Sequence, residues 1–351
     1  MFENIITLIK PLDEAAMEKC QLRLDNLTKP LNSLYSFEHI ARQLAGITAN
    51  PRPRSLAKSI IIMAADNGIA AEITGDGKAI TPQRINSFCR GNAPIHVFAE
   101  HVQAKPVLVD IGVASDLPQL PEVRHEKVAY GTNNITQEPA MTRQQAVQAI
   151  EAGINIAREE IAKGVQILGL GEMGMAGTIP GIAVVACYSD KPLNELGGQL
   201  SELVQTAITA NQPDKTDPLD VLSKIGSLAI AGLVGVILGA ASGRAAVVLD
   251  GLATSAAALI ATNLAPEVKD YLIGSHFAVE PAHQTALDMI GIPAYLKLDI
   301  NLGEGVGTAL GMSLVNASMH VINDMKTFGE AEVAVAQDGP GALKQSKDVK
   351  D

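Results

Sequence analysis

Four short apolar runs, each closing on an acidic residue or glycine, punctuate the chain. They are Ser59-Ile60-Ile61-Ile62-Met63-Ala64-Ala65-Asp66-Asn67-Gly68, Pro106-Val107-Leu108-Val109-Asp110-Ile111-Gly112, Val165 to Glu172, and Ala245-Ala246-Val247-Val248-Leu249-Asp250-Gly251. A continuous apolar run bounded by turn residues is the pattern of a strand covered on both faces, as in a parallel sheet. Helical spacing fills the intervals, roughly Pro82 to Val102, Thr142 to Lys163 with Thr142 as N-cap, and Gly198 to Asn211. This alternation predicts an α/β fold with a mainly parallel sheet flanked by helices. Such sheets bind ligands beyond the carboxyl ends of their strands. The polar residues expected there are Asp66, Asp110, Glu172, Asp250 and Glu304.

Both ends of the chain read as helical. Leu8 and Pro11 suggest a break, after which Asp13 is placed to cap a helix through Met17, Leu22 and Leu24. Lys29-Pro30 closes it, and Leu34, Phe37, Ile40, Ala41 and Leu44 resume the helical spacing before Pro51 and Pro53. Met312 to Met325 reads as a last long helix. The tail from Ala336, rich in Lys, Asp, Gly and Gln, is expected to fray.

Composition narrows the function classes. The chain has 351 residues, 47% of them hydrophobic, yet only 3% aromatic and none Trp. The core must therefore be built from Ala, Val, Ile and Leu. A net charge of -11 argues against attraction to nucleic acid or an anionic membrane, while a local phosphate site stays possible. Cys20, Cys89 and Cys187 lie far apart with no CxxC spacing, which argues against a disulfide framework or zinc site. The most apolar stretch, Ile225 to Ala241, holds four glycines and reads as a buried helix rather than a membrane span. With Glu3 near the start and no signal-like apolar core, a soluble cytoplasmic protein is expected.

Candidate chemistry centres on Leu302-Gly303-Glu304-Gly305-Val306-Gly307-Thr308, a carboxylate between glycines ahead of an apolar helix. Glycines allow close backbone approach, and the helix start offers N–H groups to an anion. Glu304 is then either a general base or a helix cap, and local spacing alone favours the cap. Gly169-Leu170-Gly171-Glu172-Met173-Gly174 matches GxGxxG, but Glu172 would repel a pyrophosphate and no clear second strand ends at Asp190. A glycine-rich turn holding Glu172 against a ligand is the better reading. His276 and Glu280 share an i, i+4 spacing without a third metal ligand, so no metal is expected. Thr81-Pro82 reads as a Thr N-cap with Pro at N1.

Together these pieces resemble the nicotinate-nucleotide:dimethylbenzimidazole phosphoribosyltransferase family of cobamide assembly. The landmarks are Lys29-Pro30 with Ser33-Leu34 and Glu38, Ala65-Asp66-Asn67-Gly68, Gly169 through Ala176, Ala210-Asn211-Gln212-Pro213, Asp220 through Gly226, Leu249-Asp250-Gly251, Ser275-His276-Phe277 and Leu302-Gly303-Glu304-Gly305. The resemblance implies a Rossmann-like domain over 55–311, a small helical domain from 1–50 plus 312–335, and a dimer, with 336–351 left as the flexible tail its composition suggests. It implies that Glu304 takes a proton from the lower-ligand base while that base attacks C1′ of nicotinate mononucleotide. Glu172, Gly171, Gly174, Thr81, Asp66, Gly303 and Gly305 would border the substrate, with no cofactor.

The sequence departs from the family pattern at several of these points. Lys29-Pro30-Leu31-Asn32-Ser33-Leu34-Tyr35-Ser36 stands for Lys-Pro-Pro-Gly-Ser-Leu-Gly-Arg, Asn67 for a histidine, Gly177-Thr178-Ile179 for an Asn-Thr-Thr run and Val306 for a serine. The segment after Thr81-Pro82 reads as shortened, leaving a base-pocket glutamine without a clear match. The connection before Gly198 is also short and lacks a lysine. Each lost donor costs about 1 kcal/mol or more of binding. Two hypotheses follow. One is an active transferase with an altered base pocket, taking a dimethylbenzimidazole-like or phenolic base. The other is a catalytically degenerate subunit that stabilises a homologous active partner in a heterodimer.

Overall fold

The computed structural model describes residues 2–74, 80–337 and 339–350. Its main strands are β1 (Ala57–Ala65), β2 (Ala104–Gly112), β3 (Val123–His125), β4 (Val165–Met173), β5 (Ala246–Val248) and β6 (Leu272–Ile273). Among the described residues they form a six-stranded sheet in the order β3-β2-β1-β4-β5-β6, and each neighbouring pair is parallel. Ile60 through Ala65 are fully buried, as a strand covered on both faces must be. This is the doubly wound Rossmann order, in which chain progression reverses between β1 and β4.

The sheet's cover includes two helices, Arg143–Ala162 and Leu228–Ser242. Thr142 opens the first with a capping box to Gln145, and Ser227 opens the second by accepting from Ile230 N. Leu228 through Ala241 are all buried. A Cβ on Gly153 would overlap the Gly232 carbonyl, and one on Gly235 the Ile150 carbonyl, so the two backbones touch where side chains are missing. Most of the apolar Ile225–Ala241 stretch is thus a core helix, which starts at Leu228, whereas Ile225 ends the preceding helix Pro218–Ile225. Among the described residues no helix is long and apolar enough to cross a membrane.

Three local expectations are revised. The helix expected over Pro82 to Val102 is two, Ile80–Cys89 and Pro94–His101, because Gly91 turns left-handed (φ 73°) and Pro94 opens a new first turn. The GxGxxG residues lie within β4 up to Met173, and the next helix begins only at Thr178, so they form a strand rather than a phosphate-binding turn. His276 sits in β7 (His276–Phe277), paired in parallel with β8 (Leu296–Lys297). Pro281 starts the following helix, so His276 and Glu280 share no helical face.

The chain divides into two compact units. The larger contains the segment up to Lys10 and Ala57–Gly311; the smaller contains Pro11–Leu56 and Met312–Asp351. The smaller is built on the helices Glu14–Asp25 and Tyr35–Thr48 with the later turns of Val306–Asp324. Cys20, Leu24, Leu27, Ala41, Ala45 and Ile322 form a core there. Asp13 caps the first of these helices by accepting from Ala16 N. Lys29 and Glu38 make a buried ion pair at 2.9 Å. The segment beyond Ala336, expected to fray, contains the helix Gly339–Lys344; Ser346 N donates to Asn26 Oδ1, and Thr327 Oγ1 donates to Val349 O.

Candidate active site

The carboxyl ends of β1, β4 and β5 deliver Asp66, Glu172 and Asp250 to one end of the sheet, where the switch point lies. Asp66 fastens that end together. Its Oδ1 accepts from Thr81 Oγ1 at 2.5 Å and from Met175 N at 3.2 Å, and its Oδ2 accepts from Ala114 N at 2.8 Å. Thr81 therefore lies buried inside its helix and gives its hydroxyl to Asp66 instead of capping. Asn67, which departs from the family pattern, donates to Met175 O at 2.8 Å and serves the same junction. Asp110 turns elsewhere, accepting from Val113 N and pairing with Lys127 at 3.1 Å.

A cleft of about 290 Å³ opens above this junction, lined by Arg84, Glu172, Asp250, His276, Glu280, Gly303 and Glu304 among others. Among the described residues lining it, Arg84 is the single cation. Sequence reasoning missed Arg84. The available signal was its i, i+3 spacing from Thr81, which places the two on one helical face.

Glu304 enters the cleft from a left-handed backbone (φ 64°), followed by Gly305 at φ 86°. A non-glycine residue held there costs about 1 kcal/mol or more, so surrounding contacts must impose it. Glu304 N donates to Glu172 O at 3.1 Å. Gly171 leaves the space: a Cβ on it would lie 2.6 Å from Gly305 N. The carboxylate of Glu304 faces Arg84 at 3.7 Å and is only 6% exposed. Burial raises its pKa, and the Arg84 charge opposes that rise.

The capping role belongs to Asp250. Its Oδ2 accepts from Gly305 N at 3.0 Å and its Oδ1 from Thr308 N at 3.2 Å, at the start of the helix Val306–Asp324. The helix-end amides that looked available to a ligand anion are thus bound to an internal carboxylate, and Glu304 is free of that duty. Burial pushes Asp250 up to about 7 despite those amide bonds.

Glu172 Oε1 is buried without a hydrogen-bond partner among the described residues. Burial pushes this carboxyl up to about 8, opposed by Arg84 and reinforced by the charges of Glu304, Asp66 and Asp250. Gly177 makes room for it, since a Cβ there would lie 2.6 Å from Oε1. Gly174 backs onto the Ala65 carbonyl. The glycines therefore divide: Gly303 and Gly174 border the cleft, whereas Gly171 and Gly305 serve close packing of the loop. His276 contacts Ser275 Oγ through Nδ1 at 3.0 Å, and burial pushes it down to about 4, leaving a neutral imidazole. Among the described residues no group of three His, Cys, Asp or Glu is arranged to hold a metal.

A doubly wound sheet with a carboxylate-lined cleft at its switch point is the frame of a nucleotide-handling enzyme. Residues 9–333 match a family model described as a phosphoribosyltransferase, and the chain belongs to that family. More particularly, a nicotinate-nucleotide–dimethylbenzimidazole phosphoribosyltransferase from Chloroflexus aggregans is 45% identical over 346 residues, covering 95% of this chain and 98% of that protein. The enzyme of the same name from Geobacter sulfurreducens is 41% identical over the same shares. A crystal structure of such an enzyme from Thermus thermophilus superposes with a TM-score of 0.87 at 33% identity, covering 92% of this chain and 99% of that one.

Proposed function

We propose that this chain transfers the phosphoribosyl group of nicotinate mononucleotide to the aromatic lower-ligand base of a cobamide, releasing nicotinate. The observation that carries this reading is Glu304, a buried carboxylate aimed into the cleft with Arg84 at 3.7 Å. The acceptor's nitrogen, or the oxygen of a phenol, forms the new bond to C1′. The bond from C1′ to the pyridinium nitrogen breaks, and its electron pair neutralises that nitrogen. Glu304 takes the acceptor's N–H or O–H proton, so the nucleophile needs no prior ionisation.

The two glutamates suit different tasks. Burial raises the pKa of Glu304, and the Arg84 charge at 3.7 Å opposes that rise in favour of the ionised form a base requires. Glu172, pushed up to about 8, is mostly a neutral acid at neutral pH and can hydrogen-bond the nucleotide without repelling its phosphate. Pairs of carboxyls whose surroundings separate their protonation states are a recurring basis for such assignments. The retained Glu304, and relatives named for the transferase activity, favour a working enzyme over a degenerate partner subunit. The proposal includes a cytoplasmic setting and action as a dimer, either of this chain alone or with a homologous subunit.

The test is nicotinate release from nicotinate mononucleotide by the purified chain, with dimethylbenzimidazole or phenol as acceptor. Glu304→Gln is expected to lower turnover by about 100-fold or more. Wild-type turnover in that variant would refute the base assignment. Light scattering on the same preparation distinguishes a homodimer from a chain that acquires activity only with a homologous partner.

A further inference from the structure

We infer that Asp250 is a positioning residue: through the backbone amides of Gly305 and Thr308 it fixes the loop that aims Glu304 into the cleft. The inference rests on the reading of Glu304 as the base. Asp250 is 1% exposed, and each of its carboxylate oxygens accepts a backbone N–H from the Glu304 loop or the helix that follows. It is itself fastened at the end of β5, where its N–H donates to Thr254 Oγ1 at 2.8 Å. Glu304 and Gly305 are consecutive left-handed residues, a conformation a free loop would leave. Two anchors oppose that relaxation: the Glu304 N bond to Glu172 O on β4, and the Asp250 clamp from β5. The clamp is thus the link between a rigid strand end and the orientation of the reacting carboxylate. Misplacing a reacting group by about 1 Å costs roughly 100-fold in rate.

The experiment uses the complete chain and combines Asp250→Asn and Asp250→Ala with Glu304→Gln. It reads kcat and KM for nicotinate mononucleotide and, in parallel, the thermal unfolding midpoint. Asp250→Ala is expected to lower kcat about 100-fold with KM within about 2-fold of wild type. Asp250→Asn, which keeps one acceptor oxygen, should fall between Ala and wild type, and it carries the test if the Ala variant does not fold. In the Glu304→Gln background, Asp250→Asn should lower the residual rate by less than about 2-fold, because residues acting through one another are not additive. An equal fold loss in both backgrounds would overturn the proposal, as it would mark a purely structural role. A raised KM with intact kcat would also overturn it, showing that Asp250 touches the substrate instead. Wild-type turnover in Glu304→Gln alone would refute the base reading, and the positioning role with it; that result is distinct from an inactive Glu304→Gln beside an unaffected Asp250→Asn.

Discussion

Arg84 faces two carboxylates of opposite use, and its guanidinium lowers the pKa of both Glu304 and Glu172. Removing it therefore lets the pKa of Glu304 rise further. Because a base must be ionised to work, Arg84→Gln should move the acidic limb of the kcat/KM profile to higher pH. Solvent screening moderates the shift, because the Arg84 side chain is 48% exposed. A profile that stays in place would assign Arg84 to the substrate's phosphate rather than to Glu304. Glu304 and Glu172 were legible as site candidates because glycines bracket them, Glu172 at the end of a strand and Glu304 just ahead of a helix. Arg84 was not, since it sits in an ordinary helical stretch. Nor was the capping by Asp250, whose partner amides lie 55 and 58 positions away.

At the scale of elements, the apolar runs announced β1, β2, β4 and the short β5 (Ala246–Val248), and Thr142 announced its helix. β3 and β6 escaped, having three and two residues and no periodicity to read. The glycines of Leu228–Ser242, which argued against a membrane span, include those where this helix meets Arg143–Ala162. Alanine normally favours a helix over glycine by about 1 kcal/mol. Gly153→Ala should nevertheless destabilise the protein by about 1–3 kcal/mol, because the added methyl meets the Gly232 carbonyl and forces the backbones apart. Urea unfolding measures this directly, and a rise in midpoint would show that the helices can separate without loss.

For the whole molecule, alternation of strand and helix predicted a parallel sheet, but not its order. The order decides where the switch point lies, and it emerges only from pairings across the chain. Gathering carboxyls at that point has a consequence for stability. Glu172 and Asp250 have folded pKa values of about 8 and about 7, raised above their ordinary 4.5 and 3.8. Their protonated forms favour the fold, so this contribution is complete at low pH and is lost as pH rises through those values. His276, lowered from 6.5 to about 4, acts oppositely and loses stability as pH falls through that range. Above about pH 6.5 the carboxyls act unopposed by it, so the unfolding midpoint should decline toward about pH 8, and Glu172→Gln should flatten that decline. A slope unchanged in the variant would place the titration elsewhere. The left-handed backbone at Glu304 sets a related tension in motion over evolutionary time. Glycine there would relieve the backbone and remove a buried charge, so selection for folding alone and selection for turnover favour different residues at position 304. In a lineage that no longer needs the product, drift would erase this carboxylate early and leave a sounder fold behind it.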